Sequence, residues 1–264
     1  MSKIKCSEFS DTIENIKSRI GNNSKYGDND LQSWLLEHLK VKENEHVLDI
    51  GCGNGTHLRE VATRVKHDNY CFGIDYNEST IKLAKEESKG FKPTVTFLHM
   101  DMDTLGDTSS PFKDNSFDLI YAAYAFYYSK YALKTLDVLK KKIKPKGRIA
   151  IIGPHGDNNK EWFVFLTQFM KLQNAVVDAS STFMEKIEKY ARENFVHIEA
   201  AEFVNNITFP SYDILATYWK SNIYYDPQYD TKFEKYAREH FKKYKVFRYA
   251  KKAKMVVMKE KKFM

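Results

Sequence analysis

A single carboxylate and a group of glycines form the segment of this sequence that most clearly points to chemistry. Residues 47–58 read V-L-D-I-G-C-G-N-G-T-H-L. The apolar residues around Asp49 predict a short buried strand, and Thr56 begins a segment with apolar residues at helical spacing. The glycines between them permit a sharp turn and a close approach of backbone to a ligand. The N–H groups at the start of the predicted helix favour an anionic part of that ligand.

Several kinds of ligand fit a turn of this type. A phosphate-binding P-loop needs a lysine and a serine or threonine after its glycines, whereas Thr56 and His57 follow here. A dinucleotide site usually has the spacing GxGxxG, whereas this segment has GxGxG. Asp49 would repel a pyrophosphate and attract an ammonium group. A tight turn that binds nothing is the remaining alternative.

Further carboxylates follow the next two predicted strands. Asp75 ends the segment Y-C-F-G-I-D, 20 residues after Gly55, which is the separation at which an acidic side chain reaches ribose hydroxyls. Asp101 follows a third predicted strand at residues 94–99. Strands alternate with amphipathic helices, so a parallel sheet is expected, with all carboxyl ends of its strands at one edge. The residues predicted at that edge are Asp49, Asp75, Asp101, Ala122 and Gly153.

The segment D-I-G-C-G-N-G resembles the first motif of class I S-adenosylmethionine-dependent methyltransferases. Other landmarks of that family follow in order, including P-F-K-D-N-S-F-D-L-I-Y at 111–121 and I-K-P-K-G-R-I-A-I-I at 143–152. The similarity covers residues 26–155. It implies an α/β, Rossmann-like class I methyltransferase fold, with a mostly parallel seven-stranded sheet and an antiparallel last strand. Residues 157–244 depart from the minimal fold, and their apolar pattern predicts a helical cap inserted near the C-terminal half.

The resemblance implies S-adenosyl-L-methionine as the cofactor. In the family, the glycine loop wraps its amino-acid end and the acid before the loop helps to hold its amino group. Asp75 then corresponds to the ribose-binding acid, and Asp101 and Met102 to the adenine site. Tyr26 either contacts the methionyl end or only packs against the next helix, and Cys52 is expected to pack rather than to react. The implied cofactor-binding residues are Tyr26, Asp49, Gly51, Cys52, Gly53, Asp75, Tyr76, Asp101, Met102 and Ala122.

Methyl transfer also makes demands on the acceptor side of the site. Nucleophile, methyl group and sulfur must be aligned, and water must be excluded. A hydroxyl or protonated amine needs a base in addition. His155, after the fifth predicted strand, is the candidate base because imidazole titrates near neutrality, and a structural loop histidine is the alternative. Asp157 is a candidate to orient it, and Tyr127, in an aromatic segment after the fourth strand, is the second catalytic candidate.

The chain is predicted to be a single methyltransferase domain over residues 1–264. Its parts are an N-terminal helical segment (1–45), the cofactor-binding core (46–156), inserted cap helices with a sheet strand (157–244), and the last strand with a basic tail (245–264). Ser129 is expected to cap the helix after the fourth strand, whose apolar face would include Ile143. The segment F-P-S-Y-D-I-L-A-T-Y-W resembles the acceptor side of methyltransferases of the ubiquinone/menaquinone-biosynthesis type.

The charge is unevenly distributed along the chain. The formal net charge is +7, and residues 232–262 alone contain 13 Lys/Arg and 3 Asp/Glu. An RNA methyltransferase that uses this basic end is therefore one alternative. The other interpretation is an amphipathic helix with its lysines in water, followed by a strand whose lysines protect a sheet edge.

Absent motifs narrow the acceptor. The sequence has no N-P-P-Y or D-P-P-Y run, no Pro-Cys pair and no metal-like spacing of ligand residues. We therefore expect metal-independent methyl transfer to an oxygen or nitrogen atom of a small molecule. A non-catalytic S-adenosylmethionine-binding protein is a further alternative. Three cysteines, at 6, 52 and 71, and the lack of any long apolar run predict a reduced, cytoplasmic protein without a membrane span.

Overall fold

The computed structural model describes residues 13–262 except residues 69 and 173, so Cys6 lies outside the described residues. The described helices are α1 (Ile13–Lys25), α2 (Leu31–Leu39), α3 (Thr56–Ala62), α4 (Glu78–Glu87), α5 (Ala132–Lys142), α6 (Lys160–Leu166), α7 (Asn174–Asn194), α8 (Tyr212–Ser221) and α9 (Asp230–Lys243). The strands are β1 (Val47–Ile50), β2 (Cys71–Asp75), β3 (Val95–His99), β4 (Phe117–Ala123), β5 (Ile143–Pro154), β6 (Phe195–Phe209) and β7 (Phe247–Lys261). Short 3₁₀ helices cover Met102–Thr104, Phe126–Tyr128 and Pro227–Tyr229.

The strands form one seven-stranded sheet in the order β3-β2-β1-β4-β5-β7-β6. β1 pairs in parallel with β2 and β4, and the parallel pairing continues outward to β3 and β5. β7 pairs with β5 in the antiparallel direction. The predicted fold class, a mostly parallel sheet with an antiparallel last strand, is confirmed. Because β1 to β5 are parallel, their carboxyl ends share one edge of the sheet.

The chain divides into two compact units. One, here called the sheet unit, comprises Gln32–His155, Thr182–Glu202 and the described part of Ala253–Met264. The other, here called the aromatic unit, comprises the described parts of Met1–Leu31 and Gly156–Ser181 together with Phe203–Lys252. β6 and β7 contribute residues to both units. The predicted single-domain organisation and its internal boundaries stay a prediction.

The sheet unit has a core of aliphatic and aromatic side chains from its strands and the helices that cover them. Leu48, Ile50, Ile120 and Ile151 are fully buried in the central strands. Phe126, from the 3₁₀ helix after β4, joins the same cluster. The central strands are thus apolar along most of their length, which is typical of parallel strands that are covered on both faces.

The aromatic unit is held together by stacked and edge-to-face rings. Trp162, Phe165 and Trp219 are buried there, and the ring of Trp219 stacks on Phe233 with a centroid distance of 5.1 Å. The indole N–H of Trp219 donates to the Asp230 carboxylate at 2.9 Å. Most aromatic residues of the predicted cap are therefore core residues. No helix among the described residues is long and apolar enough to cross a membrane.

One expected helix boundary is wrong. α5 begins at Ala132, and its N-cap residue Tyr131 makes no capping hydrogen bond with its own side chain. Ser129 accepts from the Tyr131 N–H at 3.1 Å and also donates its hydroxyl to Asp103, whereas Ile143 already belongs to β5. The serine thus contacts the backbone at the start of the helix, and its additional bond to a distant carboxylate is one that local capping patterns do not reveal.

Candidate functional site

The glycine loop between β1 and α3 contains two kinds of glycine. Gly51, Gly53 and Gly55 all have positive φ, at 72°, 53° and 77°. A Cβ atom at Gly51 would lie 2.2 Å from the Ala125 Cβ, and one at Gly55 would lie 2.5 Å from the Phe97 ring. A Cβ atom at Gly53 would meet nothing within 4 Å. Packing therefore requires two of the glycines, and Gly53 faces open space that a ligand can enter.

Asp75, the last residue of β2, ties this loop to the sheet edge. Its Oδ2 accepts from the Gly53 N–H at 2.9 Å, and its Oδ1 accepts from the Asn77 N–H at 2.8 Å. Asn77 in turn caps α4 by accepting from the N–H groups of Ser79 and Thr80. A carboxylate oxygen has two lone pairs, so each oxygen of Asp75 can accept one more hydrogen bond.

Asp49 is the most deeply buried carboxylate at this edge, with 2% of its surface exposed. Its Oδ2 accepts from the Tyr121 hydroxyl at 2.8 Å, and the two residues are paired across β1 and β4. Burial raises the pKa of Asp49 to about 7, with a smaller rise from the charge of Asp75, while the Tyr121 hydrogen bond opposes the rise. Tyr121 is a functional candidate that the sequence did not single out, because a tyrosine in an apolar strand looks like an ordinary core residue.

The predicted adenine-side residues lie after β2 and β3. Tyr76 is 74% exposed, and Asp101 is exposed and caps a 3₁₀ turn by accepting from the Asp103 N–H at 2.9 Å. Met102 is partly buried against the core. Ala122 is fully buried, so the accessible chain at the end of β4 begins at the following residue.

Asp103, which the sequence analysis did not consider, has a structural role. Its carboxylate accepts from the Lys130 N–H and from the Thr135 hydroxyl, both at 2.8 Å, as well as from Ser129. Burial is the largest single effect and raises the pKa of Asp103, but these hydrogen bonds, of which the Ser129 bond contributes most, together keep it below its usual value.

Cys52 is buried in the loop, and its sulfur lies against the position that a Cβ atom on Gly73 would occupy. Burial, with smaller effects from the Asp49 and Asp75 charges, raises the pKa of its thiol far above the usual value. A thiolate is needed for reaction, so this environment favours the expected packing role. Its side chain faces β2, its backbone N–H donates to the Ile74 carbonyl, and its own carbonyl accepts from the Gly55 N–H, both at 2.9 Å.

Gln32 is a second residue that the sequence analysis missed. Its side-chain oxygen bonds to the ring of His57, in the first turn of α3. Its Nε2 is buried and has no hydrogen-bond partner among the described residues. A buried donor without an acceptor is costly, and an acceptor group on a ligand would satisfy it.

His155 follows β5 in the sheet unit. Its Nε2 lies 3.5 Å from Glu202 Oε1, and its Nδ1 is buried without a partner among the described residues. The carboxylate beside His155 is therefore Glu202 rather than Asp157, which pairs with Lys252 instead. An alternating strand pattern gives no hint of this contact, because Glu202 is distant in sequence.

The other two predicted aromatic residues lie in different units. Tyr127, in the sheet unit, packs against Tyr128 with a centroid distance of 4.6 Å and meets the Phe183 ring edge-to-face at 6.0 Å. Tyr26, in the aromatic unit, meets Phe209 edge-to-face at 5.6 Å. The contact of Tyr26 with a ligand stays a prediction.

The charges of the site suit a ligand with both an ammonium and an acceptor group. Asp49, Asp75 and Asp101 form no ion pair with a lysine or arginine among the described residues. Gln32 offers an unused donor near the same loop. A buried carboxylate without a cation is unfavourable, so a cationic ligand group would stabilise this arrangement. The zwitterionic amino-acid end of S-adenosylmethionine fits both requirements.

Curated proteins similar in sequence to this chain include two methyltransferases named for quinone substrates. The 2-phytyl-1,4-naphtoquinone methyltransferase of Nostoc punctiforme is 27% identical over 151 residues, which cover 57% of this chain and 63% of that protein. A demethylmenaquinone methyltransferase of Lactobacillus johnsonii is 24% identical over 151 residues, or 54% of this chain and 61% of that protein. The chain thus matches about six-tenths of the length of these relatives.

A solved structure is similar to this chain in fold, and a family profile matches most of its sequence. The structure of the YcgJ protein of Bacillus subtilis superimposes with a TM-score of 0.60 at 18% identity and covers 88% of this chain and 98% of that chain. It therefore shares the fold. The profile of the family described as "Methyltransferase domain" matches residues 41–224, which is more than half of the chain. This chain belongs to the methyltransferase-domain family.

Proposed function

We propose that this protein transfers a methyl group from S-adenosyl-L-methionine to an oxygen or nitrogen atom of a small-molecule acceptor, without a metal ion. One observation carries the proposal. Gly53 donates its N–H to Asp75 and has open space where a Cβ atom would stand, and the buried Asp49 lies two residues before the loop, with no lysine or arginine paired to either carboxylate among the described residues. A ligand with an ammonium group supplies the missing positive charge.

Each residue at the sheet edge then has a distinct role toward the cofactor. The backbone of Gly51, Cys52 and Gly53 meets the amino-acid end, and Gln32 donates to its carboxylate through the unused Nε2. Asp75 accepts from ribose hydroxyls with its remaining lone pairs. The adenine side is formed by Tyr76, Asp101 and Met102.

His155 and Tyr127 serve the acceptor. Bound S-adenosylmethionine supplies a methyl group that is electrophilic because it is attached to a sulfonium. With its Nε2 proton directed at Glu202, His155 keeps the lone pair of its buried Nδ1 free to accept a proton from the acceptor. The Tyr127 ring offers an aromatic face near the end of β4 for an apolar or cationic group.

Cofactor binding is tested by calorimetry with S-adenosylhomocysteine. We expect Asp75→Ala to weaken binding by about 1–3 kcal/mol, because two ribose hydroxyls lose an acceptor. In Asp75→Asn, the amide oxygen can still accept from the Gly53 N–H, so the loop keeps its hydrogen bond. This variant therefore distinguishes the loss of ligand contacts from the loss of loop structure. Asp107→Ala removes an exposed carboxylate and should leave the affinity unchanged. Absence of binding by the folded wild-type protein would refute the proposal.

Turnover is tested with methyl-labelled S-adenosylmethionine and a panel of small acceptors. The names of the relatives support including naphthoquinols in the panel, beside phenols, amines and sugars. Label transferred to one class of acceptor would support the proposal. Tight cofactor binding without transfer to any acceptor would instead favour a non-catalytic binding protein.

A further inference from the structure

The Asp49–Tyr121 pair is a buried acid–hydroxyl contact at the centre of the sheet. The two residues lie opposite each other on β1 and β4, 2.8 Å apart between oxygens, and both are almost completely buried. The groups that act on them from the neighbouring elements are Asp75 and Cys71 on β2 and Cys52 in the loop. None of these groups carries a positive charge, and Asp49 has no ion pair among the described residues.

This environment brings the ionisation of Asp49 into the physiological range. Burial and the charge of Asp75 disfavour the carboxylate, so the pKa of Asp49 rises to about 7. The Tyr121 hydroxyl donates to the carboxylate and opposes this rise. A cation at the glycine loop would favour ionisation far more strongly, because its charge is felt across a poorly hydrated interior.

We propose that Asp49 couples cofactor binding to proton release, and that Tyr121 is the positioning residue that keeps its carboxylate oriented and ionised. The inference rests on the function proposed above. The neutral carboxyl of Asp49 gives its proton to water when the cofactor binds, and the resulting carboxylate balances the charge of the cofactor's ammonium group. Only the ionised form of Asp49 holds the ligand tightly, so the apparent affinity follows the ionised fraction.

The first test compares two ligands on the wild-type protein. S-adenosylhomocysteine carries the amino-acid end, whereas 5′-methylthioadenosine lacks it and has the same nucleoside. Between about pH 6 and about pH 8, the affinity for S-adenosylhomocysteine should rise about tenfold, and that for methylthioadenosine should stay constant. Calorimetry in two buffers of different ionisation enthalpy should show release of about half a proton per S-adenosylhomocysteine near pH 7.

Two substitutions separate the roles of the pair. Tyr121→Phe removes the donor to the carboxylate, so the midpoint of the affinity profile should move upward by about one pH unit. Binding of S-adenosylhomocysteine would then be about fivefold weaker near pH 7 and nearly equal to wild type near pH 8.5. Asp49→Asn should give weak binding that no longer depends on pH.

Tyr190→Phe is the control, because it breaks another tyrosine–aspartate hydrogen bond in the same unit, between the buried Tyr190 and the exposed Asp137. It should leave the affinity profile unchanged. Parallel pH profiles for the two ligands, or a Tyr121→Phe profile identical to wild type, would overturn the inference while leaving the proposed function intact. Failure of S-adenosylhomocysteine to bind at any pH would instead overturn the proposed function.

Discussion

The site contains carboxylates in three different environments, although they look alike in sequence. Asp49 is buried with Tyr121, Asp75 is bound by two backbone N–H groups, and Asp101 is exposed at a 3₁₀ turn. Of the three, only Asp49 is buried, and burial without a cationic partner disfavours its ionised form. Without a ligand, the ionised Asp49 therefore lowers the stability of the folded protein, and the positive charge of the proposed ligand would offset this loss.

This cost predicts a gain in stability for Asp49→Asn. The pKa of an aspartate in the unfolded state is about 3.9, whereas burial raises the pKa of Asp49 in the folded state to about 7. The native state therefore holds a proton that the unfolded state has lost between these values, and stability falls as the pH rises through this window. Asparagine cannot ionise, so the variant should be more stable at about pH 8, by at most about 4 kcal/mol.

Urea unfolding of the ligand-free protein at about pH 4 and about pH 8 checks this prediction. At the lower pH the native Asp49 is neutral and the unfolded aspartate is only about half ionised, so the difference between variant and wild type should fall below about 1 kcal/mol. Asp137→Asn, in the matched pair with Tyr190, should give no such gain. A variant that is less stable than wild type at both pH values would contradict the argument.

His155 allows a second prediction at the residue scale. If its Nδ1 accepts the acceptor's proton, His155→Gln should lower kcat by about 10²–10⁴-fold. The affinity for S-adenosylhomocysteine should be unchanged, because the proposed role of the histidine is toward the acceptor and not toward the cofactor. Steady-state kinetics with the acceptor found in the panel provide the measurement. His197→Gln, at an exposed histidine that pairs with Glu260 at 3.3 Å, is the control, and an unchanged kcat for His155→Gln would exclude the base role.

Among the elements, the glycine loop contains two packed glycines and one that faces open space within five residues. Gly51 and Gly55 lie against Ala125 and Phe97, where a side chain has no room, and Gly53 faces open space. The sequence predicted the loop and its strand and helix correctly. It did not distinguish the glycines, because that distinction depends on residues far along the chain.

The loop gives a prediction with a close control. Gly53 and Gly90 both have positive φ, at 53° and 74°, and a Cβ atom on either would meet nothing within 4 Å. Alanine at either site should therefore cost a similar amount of stability, about 1 kcal/mol, from backbone strain alone. Only Gly53→Ala should weaken S-adenosylhomocysteine binding, because its methyl group would occupy the open space at the glycine loop that the ligand is proposed to enter. Calorimetry and thermal unfolding of both variants test this, and equal affinities would show that Gly53 does not border the ligand.

At the scale of the whole molecule, the positive charge of +7 does not by itself indicate a nucleic-acid partner. Within the aromatic unit, Arg238 and Lys243 of α9 contact neighbouring side chains. Arg238 pairs with Glu234 at 2.8 Å and lies over the Tyr212 ring at 4.0 Å. Lys243 lies over the Tyr244 ring at 5.0 Å. These contacts favour the interpretation of α9 as an amphipathic helix over a dedicated RNA-binding surface.

We therefore expect only weak binding to RNA that disappears near physiological salt. Fluorescence anisotropy with a labelled RNA should show binding at low ionic strength that is lost by about 150 mM salt. Lys242→Glu with Lys243→Glu should abolish even that weak binding, without an effect on S-adenosylhomocysteine affinity. Tight RNA binding that persists at about 150 mM salt would instead support the RNA methyltransferase alternative.

The sequence by itself determined the order of strands and helices, the glycine loop and the acids at the strand ends, because these follow from local periodicity and short-range spacing. It placed the end of α5 wrongly, because Ile143 pairs with Phe117 of β4 in the sheet, and it missed the bond of Ser129 to the Asp103 carboxylate, which is 26 residues away. Only the tertiary structure decided that Asp49 meets Tyr121, 72 residues later, and that Glu202 rather than Asp157 lies beside His155. Such partners depend on strand register and on which side chains are buried together, and no local pattern encodes either.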